Sequence, residues 1–435
     1  MYCGYVTKLK NIRPHSNADR LELADAFGMT IIIGKDSFTE NDLVLYFPTE
    51  GQLSVEYCEK NNLVRKKDEN GNNIGGYLDP DKRNIKALKL RGERSEGLVM
   101  PLDSLAFTGV NLEDLVEGFQ ITVVNGIEIC EKYIPRGSGY RRRANHIEKY
   151  KKKETEKFIF PEHIETEQLK FYVDRFKVGD LLTITEKLEG TSGRSAMLKV
   201  KKVNGWFRKL LHLKERECYK TFCGSRRVTI KTESCKDEDG GYYGSNEFRK
   251  EVHKQLVPHL TPGLEVFYEI VGWPAPGEAP LMGRVRTKCL NDREFTAKYG
   301  EEMVFSYGLE EGTYDFYIYR IAEVDDDGDI RIEYSTDQII NWCEKHGFKY
   351  VPLLWRGILG PDQDIVKIAE RFNDGESTIG AHWREGCVIR RDNNAAKFDV
   401  YKDKNWTYKA LKGMANEELA NQDTSMISED ILEEM

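Results

Sequence analysis

Residues 183–197 read TITEKLEGTSGRSAM. An alternating apolar run ends there in a lysine, Lys187, and is followed at once by an acid, a glycine and a cluster of small hydroxyl residues. A charge at the end of a strand is ordinary on an exposed sheet, so the stretch decides the fold only if the rest of the chain supplies partners for a reactive lysine. An amine attacks only when unprotonated, which calls for nearby cations, a metal or desolvation. If the electrophile is the α-phosphate of a nucleotide, further cations must neutralise the developing charge, and a metal needs carboxylates.

Such groups follow at ordered intervals. CGSRR brings Arg226, EVFYEIVG brings Glu269 within a strand, and TYDFYIYRI brings a row of aromatics. REGCVIRR then places Glu385 at a strand start, and YKDKNWTYK carries Lys402 and Lys404, which alternate by two and so share one strand face. The order K-x-E-G, S-R, F-Y-E-I-V-G, F-Y-I-Y-R-I, E-G-C-V-I-R and Y-K-D-K-N resembles motifs I, Ia, III, IIIa, IV and V of the covalent nucleotidyltransferases, the DNA ligases, RNA ligases and mRNA capping enzymes. The resemblance covers roughly residues 180–410, and K-D-K-N is similar to the K-x-K-N of RNA ligases.

Carried over residue by residue, the resemblance implies that Lys187 is the catalytic residue adenylylated through a P–N bond. Lys402 and Lys404 would hold the α-phosphate and favour the neutral amine. Glu186 and Glu189 would line the nucleotide pocket, and Gly190 would supply a tight turn where a side chain would crowd the nucleotide. Arg226 would contact ribose or phosphate, with Arg194 a second candidate. Glu269 would bind the ribose or a metal, and Glu385 the divalent metal, Mg2+ or Mn2+. Tyr319 is expected to stack on the base, with Y-R standing where the family has F-D; Arg320 departs from the family's Asp.

Composition agrees with a chain of this kind. Its 435 residues exceed a typical single domain and suggest two folding units. With 22 Tyr, 19 Phe and 32% charged residues, the chain is too aromatic to be disordered and too polar for a membrane. No apolar run approaches the roughly 18 residues needed to cross a bilayer. The N-terminus lacks the apolar core of a secretory signal, so a cytoplasmic location is expected. Nine scattered cysteines with no C-x-x-C pair read as reduced thiols. The net charge of −8 argues against wholesale coating of nucleic acid, yet residues 132–157 hold ten Lys/Arg against three Glu. Arg141, Arg142, Arg143, Lys151, Lys152 and Lys153 in that run are candidates for nucleic-acid contact, with affinity from counterion release.

The fold class expected is α+β. Before the basic run, YCGYVTKL, LELADAF, MTIIIGK, DLVLYFP and FQITVVNGIEIC read as short strands punctuated by turns, which suggests an OB-like β-barrel. NIRPHSNADRLELADAFG resembles the OB domains that bind tRNA in synthetase-associated proteins. FPEHIETEQLKFYVDRF reads as a helical connector, SNEFRKEVHKQLVPHL and DQIINWCEKHGF read as helices, and EVDDDGDIRIEY reads as a hairpin turn, since Tyr334 stands where a Ca2+ loop needs a bidentate Glu. The domains expected are 1–165, an OB-like nucleic-acid-binding domain; 166–415, an adenylyltransferase (ATP-grasp-like ligase) domain of antiparallel sheets with helices; and 416–435, a polar tail.

Only 31 residues follow Lys404, too few for a C-terminal barrel whose strands alone take about 25 to 30 residues. The order of parts therefore resembles RNA ligases with an N-terminal OB domain. That resemblance implies an ATP-dependent RNA ligase, expected to be a monomer with no membrane partner, joining 3′-OH and 5′-phosphate RNA ends. The alternatives are a capping-type guanylyltransferase and a non-catalytic RNA-binding OB protein.

Overall fold

The computed structural model describes residues 2–66, 74–133, 156–202, 216–231, 243–392, 399–413 and 415–416. Arg141, Arg142, Arg143, Lys151, Lys152 and Lys153 lie outside the described residues. The chain forms two units, one of Met1–Pro135 with Val285–Glu301 and Trp406–Met435, the other of Arg136–Arg284 with Glu302–Asn405.

In the first unit, strands Gln120–Ile121, Gly4–Lys8, Leu43–Phe47 and Leu98–Pro101 pair antiparallel in that order. Lys10–Pro14, Leu21–Ala26 and Met29–Gly34 make a second antiparallel sheet. Val6, Leu45, Phe47, Leu98, Met100 and Ile121 point into one core, as the alternation of their strands requires. The distinctive H-S-N run braces a turn locally. The amide of Asn17 donates to His15 Nδ1 (3.0 Å), leaving Nε2–H for the carbonyl of Leu90 (3.2 Å). Asn17 Nδ2 donates to the carbonyl of Arg91 (2.9 Å), so the turn is tied to the hairpin Ala87–Leu90/Glu93–Glu96.

Two distant pieces complete this unit, and they change the expected division at 165 and 415. Helix Trp406–Leu411 packs here: Arg94 stacks over the Trp406 ring (4.9 Å), Lys409 pairs with Glu96, and Cys289 Sγ donates to the carbonyl of Ala410 (3.6 Å). Beyond it, Ala415–Asn416 runs parallel to Ala87–Leu90. Composition gave no sign of this, because the pieces resemble their sequence neighbours.

The second unit holds two sheets. Thr229–Ile230, Arg216–Gly224, Thr191–Lys202, Leu264–Gly272, Tyr314–Val324 and Ile330–Glu333 pair in that order, with Glu156–Lys157 beside Thr191–Lys202. Helices Glu247–Leu256 and Thr336–His346 cover one face, burying Phe248, Val252, Ile339 and Cys343 against Val266, Tyr268 and Ile270. Glu265, Phe267 and Glu269, in the alternate phase, belong to the opposite face. The other sheet runs Glu167–Gln168, Val400–Lys404, Gly386–Arg391, Leu181–Lys187, Leu353–Ile358. Helix Ile365–Asn373 covers it with Ile365, Ile368 and Ala369 against Leu182, Ile184, Cys387 and Ile389. Thr185, Lys187, Lys402 and Lys404 fall in the phase opposite to that core.

Both expected helices form, Thr336–His346 with a Ser335/Gln338 capping box and Gly347 in the left-handed region (φ 75°). The acidic segment is the expected hairpin turn, with Asp325 Oδ1 accepting from the amides of Asp327 and Asp329 (2.9 Å each). The expected connector helix is absent: residues 158–166 have no regular structure, and the short strand Glu167–Gln168 and 3-10 turns at Leu169–Phe171 and Val173–Arg175 follow. Pro161 disfavours a helical residue before it. The segment's backbone groups bond outward instead, the amide of His163 to the carbonyl of Arg226 (3.1 Å) and the carbonyl of Phe160 to Arg194 Nη1 (3.3 Å).

Candidate active site

The register of three neighbouring strands places the nucleophile. Lys187 pairs with Gly386, which pairs with Lys404, and one row along Thr185, Val388 and Lys402 line up in the same way. The three lysines thus share one face of the sheet. Gly386 sits between two of them at φ 154°, and a Cβ there would lie 2.1 Å from the carbonyl oxygen of Asp403, so only glycine permits this approach. Glu385, immediately before it, is buried and holds both lysines, with Lys187 Nζ at 2.7 Å from Oε2 and Lys404 Nζ at 3.7 Å from Oε1. Asn405 locks the strand ends together: its amide donates to the carbonyl of Glu385 (3.2 Å) and its side chain to the carbonyls of Asn373 and Arg384 (2.9 and 2.8 Å).

The first sheet contributes Glu269, whose Oε2 accepts from Ser192 Oγ (3.1 Å). Burial pushes the Glu269 carboxyl up to about 7; Lys187 and Ser192 pull it down, while Glu385 and Glu189 push it up. Burial likewise raises Glu385, against the opposing pull of Lys187. Gly190 is forced by packing, since a Cβ there would lie 2.3 Å from the carbonyl oxygen of Ile270.

Three residues outside the six sequence elements hold the E-K-L-E-G-T-S stretch, residues 186–192. Arg249, from helix Glu247–Leu256, donates through Nη2 to Thr191 Oγ1 (2.5 Å) and through Nε to the carbonyl of Ser192 (3.3 Å). The hydroxyl of Tyr307 accepts from the amide of Glu189 (2.5 Å). Tyr307 has φ 51°, unusual for a bulky residue, and its amide donates to His382 Nε2 (3.3 Å). Thr378 donates both its amide (2.8 Å) and its hydroxyl (2.7 Å) to Glu186 Oε2, and Glu186 Oε1 is buried without a partner.

The other expected residues are more dispersed. Arg194 is buried with its guanidinium stacked over Phe160 (3.9 Å), donating to the carbonyls of Ser225 (2.8 Å) and Phe160. Glu265 approaches it at 3.7 Å, too long for a hydrogen bond, and burial pushes the Glu265 carboxyl up to about 8. Arg226 is half exposed, 3.8 Å from Glu165. Tyr319 is the extra residue of a β-bulge: Tyr268 pairs with Ile318 and Phe267 with Arg320, so Tyr319 has no cross-strand partner and its ring meets His163 (5.8 Å). The bulge leaves Tyr317 directly opposite Glu269, and burial raises the Tyr317 hydroxyl pKa, with Asp315 and then Glu186 adding to it. No local sequence signal marks that slip. Arg320, standing where the family has Asp, forms a buried bidentate pair with Glu333 (2.9 and 3.1 Å from Nε, 2.9 Å from Nη2).

A sequence profile described as RNA ligase matches residues 180–407, more than half of the chain. The chain belongs to the RNA ligase family. A second profile, of an OB-fold domain, matches residues 4–102 of the ligase, so the order is the expected one, OB fold first and mixed α+β sheets after. No curated protein matches it in sequence. Among solved structures it is similar to a mutant RNA ligase of Naegleria gruberi with AMP and Mn, at 18% identity and TM-score 0.59 over 94% of this chain and 98% of that one. Another mutant of that enzyme with ATP and Mn aligns at 16% identity and TM-score 0.58, covering 94% and 98%. The same enzyme with PPi gives 16%, 0.58, 93% and 97%. At such identities the likeness is one of fold. The ligase is thus an enzyme that forms phosphodiester bonds in RNA. Among the described residues no helix is long and apolar enough to cross a membrane.

Proposed function

We propose that this ligase joins 3′-OH and 5′-phosphate RNA ends with ATP, through a lysyl-AMP at Lys187 and an RNA-adenylate. The observation that carries the reading is the register that sets Lys187 and Lys404 on either side of Gly386, with Glu385 holding both lysines and Glu269 near Lys187 from the other sheet. In the first step the lone pair of Lys187 Nζ forms a P–N bond to the α-phosphorus, the P–O bond to pyrophosphate breaks, and the amine proton leaves. AMP then passes to the RNA 5′-phosphate with release of Lys187. The 3′-oxygen attacks that phosphorus, its proton leaves, and AMP departs. Lys402 and Lys404 face the phosphorus centre in each step and counter its charge.

Among the described residues no three His, Cys, Asp or Glu side chains gather as a closed metal site. Glu385 and Glu269 offer carboxylates singly or as a pair, the donor set of Mg2+ or Mn2+, ions that draw their other ligands from water and phosphate. When bound, such an ion supplies charge to stabilise the transferring phosphate and competes with Lys187 for Glu385.

The base is read as adenine. Glu186 Oε1, buried and without a partner, is a carboxylate acceptor suited to the 6-amino group and repelled by a 6-oxo group. Tyr317, opposite Glu269, supports base stacking better than the bulged Tyr319. The test is incubation of the full chain with α-labelled ATP or GTP and Mn2+, then with pre-adenylylated RNA. ATP is expected to label wild type and not Lys187→Ala, which should still seal pre-adenylylated ends. Labelling by GTP alone would make the protein a guanylyltransferase, and labelling by neither would leave a binding protein.

A further inference from the structure

The segment between helix Ile365–Asn373 and Glu385 belongs to none of the six sequence elements, and it reaches the nucleotide pocket through one residue. Residues 374–384 form a tightly braced loop. Glu376 and Trp383 bridge, the amide of Ser377 donates to the carbonyl of His382 (2.8 Å), and that of Arg384 to the carbonyl of Gly375 (3.0 Å). The Arg384 side chain bonds the carbonyls of Glu376 and Phe372 (2.9 Å each), and Trp383 Nε1 donates to Asp374 Oδ1 (2.7 Å). His382 is fully buried; burial lowers its pKa, and acceptance of the Tyr307 amide at Nε2 fixes it as the neutral Nδ1–H form, donating to the carbonyl of Trp383 (3.1 Å).

From this rigid loop Thr378 aims two donors, amide and hydroxyl, at the same oxygen of Glu186. Two donors on Oε2 leave the carboxylate a single orientation, and that orientation leaves Oε1 as the unmatched acceptor. The amide bond alone would let the carboxylate turn about its last torsion, which for an sp3–sp2 bond is soft.

We propose that Thr378 sets the purine preference of the ligase, acting as a positioning residue that aims Glu186 Oε1 at a 6-amino group and away from a 6-oxo group. The proposal rests on the reading of Glu186 as the base contact and adds the device that gives the contact its direction. Thr378 acts through Glu186, the residue its two donors reach. Because Glu385 begins where the same loop ends, base selection and the phosphate-side acid are carried on one short span of chain.

The test compares lysyl-nucleotide formation by the full chain with ATP and with inosine triphosphate, whose base differs by a 6-oxo group. For Thr378→Val the ATP-over-inosine preference in kcat/KM should fall about tenfold, the scale of one lost hydrogen bond to a charged group. The loss should lie in KM for ATP more than in turnover at saturating ATP, and Thr378→Ser should restore the wild-type preference. Thr378→Ala, smaller than the native residue, serves alongside should the valine variant misfold. Glu186→Ala separates the two layers. If it abolishes the preference while Thr378→Val and Thr378→Ala both keep it within about twofold, the inference is overturned and the base contact stands. If Glu186→Ala keeps the full preference, the base contact itself is wrong and the inference falls with it.

Discussion

The two sheets of the catalytic unit carry buried charge at two places, and the contrast between them separates structure from chemistry. In the first place every charge has a matched partner. Arg320 grips Glu333 bidentately, Arg390 approaches Glu333 at 3.5 Å and Asp392 at 2.9 Å, and Asp392 also accepts from Thr183 Oγ1 (2.5 Å) and the amide of Thr336 (3.1 Å). In the second place four acids gather about one turn: Glu186, Glu269 and Glu385 lie around the K-L-E-G turn that carries Glu189, and Glu385 holds both Lys187 and Lys404. Burial raises Glu269 and Glu385 there by more than the charge of Lys187 offsets. An ionic chain closed on itself ties two sheets together, whereas a cluster of acids raised by burial beside lysines is suited to metal, phosphate and substrate.

The sharpest way to break this contrast is to cut the closed chain. Arg320→Ala leaves Glu333 buried with a longer partner and should cost about 3–5 kcal/mol of stability in denaturant melts. The paired replacement Arg320→Met with Glu333→Leu should recover most of that loss and retain lysyl-AMP formation. If the folded double variant lost adenylylation, the closed chain would have a part in the chemistry.

At the second place the effects should fall on rate instead. Glu385→Ala or Lys404→Ala should lower the rate of lysyl-AMP formation about 100- to 1,000-fold, the scale of a lost contact to a developing charge, with little change in melting temperature. Equal loss of stability and rate would erase the distinction between the two places.

A smaller effect concerns pH. Glu269 and Glu265 have folded pKa values raised to about 7 and about 8 from an ordinary 4.5, so the folded state holds protons that the unfolded chain has released. Their stabilising contribution is full below about 4.5 and is lost as pH rises towards 8. The metal-free melting temperature should therefore fall over that range, and Glu265→Gln should flatten the upper part of the fall by roughly 3–6 °C. Mn2+ should raise the melting temperature more at pH 8 than at pH 5, since it binds the ionised carboxylates. A metal effect independent of pH would contradict the assignment.

How much of this could be read from the sequence depends on whether a residue is fixed locally or by distant contacts. Lys187, Glu269, Lys402 and Lys404 sit in regular strands and Glu385 immediately precedes one, so the period of two in the sequence already fixes which face each lysine takes. Tyr319 was not legible in this way, because the bulge at Phe267/Tyr268 shifts the phase and brings Tyr317 opposite Glu269. Arg249, Tyr307 and Thr378 reach residues 186–192 from 58, 118 and 192 residues away in the chain. No pattern within a window announces such contacts.

The unit boundaries failed for the same reason. Trp406, two residues past Lys404, packs in the first unit. A fragment starting near Thr166 would leave Trp406, Tyr408 and Leu411, all buried in the whole chain, without their core. It is therefore expected to lose lysyl-AMP formation as well as sealing.

The most direct measurement is to find where the nucleotide is attached. Full-length protein incubated with α-labelled ATP and Mn2+, then digested and mapped, should carry AMP on Lys187 through an acid-labile, alkali-stable P–N bond. Lys187→Ala should carry none. AMP mapped to Lys402 or Lys404, or persisting in Lys187→Ala, would contradict the account.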